Sequence, residues 1–201
     1  MAIKLTLRHT ERILFCGSKW WGDPDMPENM QYPTMTVTED GETYDYPLTF
    51  VCQINCEDIA AYDTENMLPH EGMLYFFAAI DDYTGYESPV CNPVGEWPKG
   101  RVAVKYAKSI NFETFQTCML VGDGDEQLTE PELEMSFSIC EKGYKGLSML
   151  TEATDGSVTL LKIVSDNVAG IETESRTIDL LMKESDLRFG NWKRAKAVMS
   201  E

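Results

Sequence analysis

Apolar and polar residues alternate with a period of two along much of this chain. Ile3, Leu5 and Leu7 fall on one side and Lys4, Thr6 and Arg8 on the other, which predicts a half-buried strand. Thr34–Thr38 and Thr43–Phe50 flank Asp40-Gly41, and Asp-Gly between β-prone runs predicts a tight hairpin. Leu48, Phe50, Cys52 and Ile54 are expected on one strand face, with Thr49, Val51, Gln53 and Asn55 on the other. Asn55 followed by Asp58 reads as the start of a short helix that ends before Leu68-Pro69. After Gly72 the run MLYFFAAI is continuously apolar and too short for a typical helix, so it predicts a strand buried on both faces. Alternation returns at Val102–Tyr106 and Leu133–Ile139. Residues 17–34, 81–100 and 141–157 are rich in glycine or proline and are expected to be loops.

The C-terminal third echoes the middle of the chain. Residues 157–187 repeat the pattern of 47–82, a strand, a long connection and a second strand. Internal duplication and chance similarity of β-rich segments both account for it. The elements together predict a single domain over residues 1–201. Its expected class is α+β, with predominantly antiparallel sheets and few short helices.

Three segments carry a family resemblance. They are SKWWGDPDMPENMQYP from Ser18 to Pro33, PLTFVCQIN from Pro47 to Asn55, and LPHEGMLYFF from Leu68 to Phe77. They resemble the YwqG-like proteins, a mostly bacterial group of unknown function. That pattern has a Ser-Lys-x-Gly-Gly-x-Pro-x-x-Pro loop followed by Pro-Leu-x-Phe-x-x-Gln-Ile-Asn and Leu-Pro-x-x-Gly-x-Leu-x-Phe-Phe strands. The second half matches less closely: Lys162 stands where the pattern has Gln, and a Trp-Gly-Asp segment between the closing strands is absent. The resemblance implies a mixed fold with an internal repeat in a bacterial cytoplasmic protein, and it implies no activity or catalytic residue.

Charge adds the strongest physical lead. From Trp20 to Pro98 there is no Lys or Arg but 16 acidic residues, and that block accounts for nearly all of the net charge of −17. Such a field repels nucleic acid and anionic membrane and attracts cations. The first residues are too charged for a signal peptide, and no apolar run has the ~20 residues of a membrane helix. The expected location is therefore the cytoplasm, where the six cysteines stay reduced. Two isolated histidines and no Cys-x-x-Cys argue against a metal, and no cofactor is expected.

The candidate chemistry is sparse. There is no nucleophile elbow and no phosphate-binding Gly-Lys-Ser/Thr. Gly122-Asp-Gly is acidic, and Leu128 stands where a calcium loop needs Gly. Cys52 is expected to act as a small buried hydrophobe, and Gln53 and Asn55 to make structural hydrogen bonds. The leading expectation is a non-enzymatic interaction module that docks a basic protein through Asp40, Asp45 and Asp63. An immunity or antitoxin role is its sharpest form. The alternative is a small-molecule-binding protein or enzyme, with a site in loops 18–33 and 81–98 built from Lys19, Trp20, Trp21, Asp23, Asp81 and Asp82. A third reading takes the acidity as a property of a soluble domain with no partner.

Overall fold

The computed structural model describes residues 1–80, 94–122, 124–125, 127–153, 155–164 and 176–201, and for Glu39 the backbone alone. The strands are β1 (Ala2–His9), β2 (Lys19–Trp20), β3 (Asp25–Pro27), β4 (Thr34–Glu39), β5 (Glu42–Pro47), β6 (Thr49–Asn55), β7 (Met73–Ala78) and β8 (Gly95–Glu96). They continue with β9 (Val102–Ala107), β10 (Phe115–Thr117), β11 (Leu133–Cys140), β12 (Ser148–Met149), β13 (Thr151–Glu152), β14 (Val158–Val164), β15 (Thr177–Met182) and β16 (Lys196–Ser200). Among the described residues, helices are confined to α1 (Cys56–Ala60), α2 (Glu184–Arg188) and a 3-10 turn, Trp192–Arg194. With 46% strand and 8% helix among the described residues the fold is mostly antiparallel β with few short helices, so that the expected sheets are present and the helical share of the α+β class is small.

One large sheet runs β8-β16-β15-β14-β12-β1-β11-β2-β6-β7-β9, with β13 added beside β14. Its two end strands, β8 and β9, are neighbours in the chain, joined by residues 97–101. That connection spans at most about 20 Å, so the sheet has to bend its ends toward each other. It curls into a half-barrel. The main core lies inside the curl and draws on strands from end to end, including Ile3, Leu74, Phe76, Leu133, Ile178 and Met199. A second cluster of Met26, Met35, Phe50, Met73, Tyr75 and Phe77 covers the outer side of β6 and β7. The β4–β5 hairpin and the β3–β10 pair supply its lid. β7 is thus buried at every position, as its unbroken apolar run predicted.

Local chemistry accounts for the other elements that the sequence announced. Asp40 and Gly41 take φ of 49° and 86° between Glu39 and Glu42, the primed geometry that Asp-Gly favours. The Asn55 side chain accepts the Glu57 N–H at 3.1 Å and caps α1. β6 departs from simple alternation. Its register shifts between Phe50 and Cys52, so that Val51 is the extra residue of a bulge. Leu48 and Phe50 consequently pack outside and Cys52 and Ile54 inside, where one common face was expected. The loop expected over residues 17–34 contains β2 and β3, because backbone groups there find partners on β6, β11 and β10.

The strand order is similar on the two sides of the β1–β11 pair, apart from β8 at one end. Outward from the β1–β11 pair, β2, β6, β7 and β9 lie on one side and β12, β14, β15 and β16 on the other. β14 carries a register shift between Thr159 and Leu161, as β6 does between Phe50 and Cys52. Trp21 and Leu150, each just after the matching short strand, adopt φ of 59° and 57°.

Gly72 enters β7 at φ 82°, and a Cβ there meets the Ala107 carbonyl oxygen at 2.1 Å. Gly72→Ala is expected to lower the unfolding free energy by roughly 2–4 kcal/mol, measured by urea titration.

Candidate functional site

The 17–34 loop is tied down by a buried carboxylate. Asp25, fully buried, accepts hydrogen bonds at Oδ2 from the Cys16 N–H (2.9 Å), Gln53 Nε2 (2.8 Å) and Lys19 Nζ (2.9 Å). Its Oδ1 accepts from Thr117 Oγ1 at 2.8 Å. Its own N–H donates to Gln53 Oε1, and its carbonyl accepts from the Tyr75 hydroxyl, both at 2.8 Å. Gln53 and Tyr75 sit opposite each other on β6 and β7. Four charged or polar bonds at one carboxylate offset the cost of removing it from water.

Lys19 is equally buried and also reaches Glu132 Oε2 at 3.3 Å. Asp23 receives the Leu120 N–H (3.2 Å), Gln127 Nε2 (2.8 Å) and Thr129 Oγ1 (3.3 Å). Together these groups floor a cavity of about 430 Å³. Its lining holds four carboxylates, Asp23, Asp25, Glu130 and Glu132, against one cation, Lys19. Ile13 and Phe15 form its apolar wall. Ile13 is 90% exposed, and the Phe15 ring lies 6.2 Å from that of Phe112, itself 69% exposed. Met119 and Val121, also exposed, flank the Leu120 amide that binds Asp23.

Of the six candidate ligand residues, the fold therefore brings Lys19 and Asp23 into one cavity. Trp20 and Trp21 instead turn into the main core, edge to face with centroids 5.8 Å apart. Asp81 and Asp82 lie outside the described residues. Among the candidate docking residues, Asp40 and Asp45 are exposed on the β4–β5 hairpin, and Asp45 accepts from Thr36 at 2.7 Å. Asp63 is an interior residue. It is buried, accepts the Leu68 N–H at 2.7 Å and stands 3.2 Å from His70. The acidic block is thus divided. Asp23, Asp25 and Asp63 are internal, while Glu65 pairs with the N-terminus and Lys142, and Glu96 with Lys196.

Sequence reasoning missed Thr117, Glu130, Glu132, Ile13 and Phe15, whose positions along the chain carry no shared signal. Gln53 was legible as a polar residue in an apolar strand. The thiols near the site are held protonated. Burial, then the Asp25 charge, pushes Cys16 up to about 11, and burial pushes Cys56 up to about 12.

A family profile matches residues 18–160, more than two thirds of the chain and the whole span from β2 into β14. The chain belongs to the DUF1963 family, a domain of unknown function. No curated protein matches it. The DUF1963 span contains the Lys19–Asp25–Gln53–Tyr75 network and the acidic side of the cavity. Ile13 and Phe15 lie before it. Among the described residues, no helix is long and apolar enough to cross a membrane.

Two outcomes are expected here. Lys19→Met leaves Asp25 buried without its cation and lowers stability by about 3–5 kcal/mol in urea titration. Iodoacetamide at pH 8 leaves Cys16 and Cys56 unmodified in the folded chain, since a thiol with a pKa of about 11 is roughly one-thousandth thiolate there. Peptide mass mapping checks this, with a urea-unfolded sample as the reactive control.

Proposed function

We propose that this DUF1963 chain is a non-enzymatic interaction module that receives a basic side chain of a protein partner in the Asp23–Glu132 cavity. The supporting observation is the imbalance of charge within an apolar rim. Four carboxylates face one already paired ammonium, and Ile13, Phe15 and Phe112 stand exposed around them. An acidic floor supplies steering and favours lysine or arginine, and an exposed apolar rim supplies burial on contact. Asp23 and Asp25 accept hydrogen bonds from the chain itself, which fix the position of both carboxylates. Cover for the cationic surface of a partner, as in an immunity or antitoxin protein, is a special case of this reading.

The symmetry of the sheet supports reading the chain as a duplicated unit whose cores are residues 47–82 and 157–187. In the register of the two bulged hairpins, Lys162 and Asp179 occupy the places of Gln53 and Tyr75. They bond to each other at 2.6 Å. The second unit therefore closes on itself where the first holds Asp25, and the cavity belongs to one half.

Calorimetric titration with a short peptide of alternating arginine and leucine tests the proposal. Saturable binding that falls about tenfold in the Ile13→Ser variant is expected, the loss of one exposed contact residue. Free arginine binding as tightly as the peptide would transfer the cavity to the small-molecule alternative.

A further inference from the structure

A second cleft, of about 590 Å³, lies where β9 meets the Trp192–Arg194 turn. Because β9 is an end strand, its outer edge faces this turn instead of another strand. The cleft reverses the charge of the rest of the molecule. Lys105, Lys193 and Arg194 line it, with Asp186 as the one carboxylate of the lining. Asp186 is engaged by the Asn191 side chain at 3.1 Å. Lys193 and Arg194 are exposed and make no ion pair among the described residues, and Lys105 donates to the neutral Gln31 carbonyl at 2.8 Å. Acids outnumber bases 34 to 17 in this chain. Elsewhere Arg8, Arg12, Lys142, Lys162 and Lys196 each have a carboxylate partner. Three cations gathered around one carboxylate carry a net repulsion. Burial first, and then Lys193, lowers the Lys105 pKa.

The cleft also presents aromatic surface. Tyr106 and Trp192 stand with ring centroids 5.9 Å apart and planes at 53°. Tyr106 is fixed by its hydroxyl, which donates to the Glu71 carbonyl at 3.0 Å. A volume of this size suits a small organic ligand rather than a bare ion.

We infer that the β9–Trp192 cleft binds a small anion bearing a planar ring, in the chemical class of a nucleoside monophosphate. Lys193 and Arg194 meet the phosphate, Arg194 in the forked geometry that guanidinium allows, and Lys105 adds charge from the strand side. The ring packs on Trp192 and Tyr106. This surface is separate from the acidic cavity, and its turn lies beyond the family-matched span, which ends at residue 160.

Intrinsic fluorescence of the full chain reads the site directly. Trp192 is half-buried, whereas Trp20, Trp21 and Trp97 are buried in the core. Adenosine monophosphate is titrated against the natural chain and against Lys193→Ala/Arg194→Ala, both exposed positions whose change leaves the core intact. The expected result is a saturable sub-millimolar response that weakens about tenfold or more in the double variant. Adenosine alone and inorganic phosphate alone are each expected to bind at least about tenfold more weakly than the nucleotide. The inference is overturned by no saturation up to about 10 mM nucleotide. Unchanged affinity in the double variant overturns it too. So does phosphate binding as tightly as the nucleotide. Tighter binding of a polyglutamate peptide would overturn it in favour of an acidic macromolecular partner.

Discussion

The buried carboxylate of Asp25 is the constraint on which the first half of the molecule depends. A charge with no water around it needs donors, and Asp25 draws four of them from three separate segments: Cys16 and Lys19, Gln53, and Thr117. Its backbone is held as well, by Gln53 and Tyr75. A single group thereby ties β3 to β6, β7 and β10. It also converts a glycine- and proline-rich stretch, which has little regular pairing of its own, into a rigid wall. The neighbouring positive φ of Trp21, which costs a non-glycine residue on the order of 1 kcal/mol, is tolerated because Trp20 and Trp21 are locked into the core behind it.

Curling of the large sheet produces both surfaces with chemical character. The curl closes one core inside and leaves the outer side of β6 and β7 to be covered by the β4–β5 hairpin and the β3–β10 pair. The acidic cavity forms beside this covering layer, where the β2–β3 loop meets the segment from Thr117 to Glu132. At the other end of the sheet the curl stops short of closing, and the turn before β16 packs against the free edge of β9. Charge separates in the same way. Carboxylates gather around the loop network, and cations gather at the open seam. The net charge of −17 describes neither place.

The mirrored strand order gives this separation a structural basis. Each half has a bulged hairpin beside a short strand that ends in a left-handed residue. The polar pair that follows each bulge differs. Gln53 and Tyr75 turn to a third residue, whereas Lys162 and Asp179 satisfy each other.

The amino-acid sequence by itself determined the parts whose cause is local. The hairpin at Asp40-Gly41 follows from residues that accept positive φ, the start of α1 from the Asn55 cap, and the double burial of β7 from an unbroken apolar run. It also marked Gln53 as a polar residue needing a partner, and it placed Lys19 and Asp23 in the same loop. It did not reveal β2 and β3, the bulge at Val51, or the burial of Asp63, because each depends on hydrogen-bond partners far along the chain. Exposure of Ile13 and Phe112 and convergence of Lys105 with Lys193 were equally hidden, since periodicity describes one element and not which elements meet. Only the tertiary structure brings residues 16, 19, 53 and 117 within 3 Å of the Asp25 carboxylate. The physical reason is that a buried charge selects its donors in space, and a linear pattern holds no record of distance.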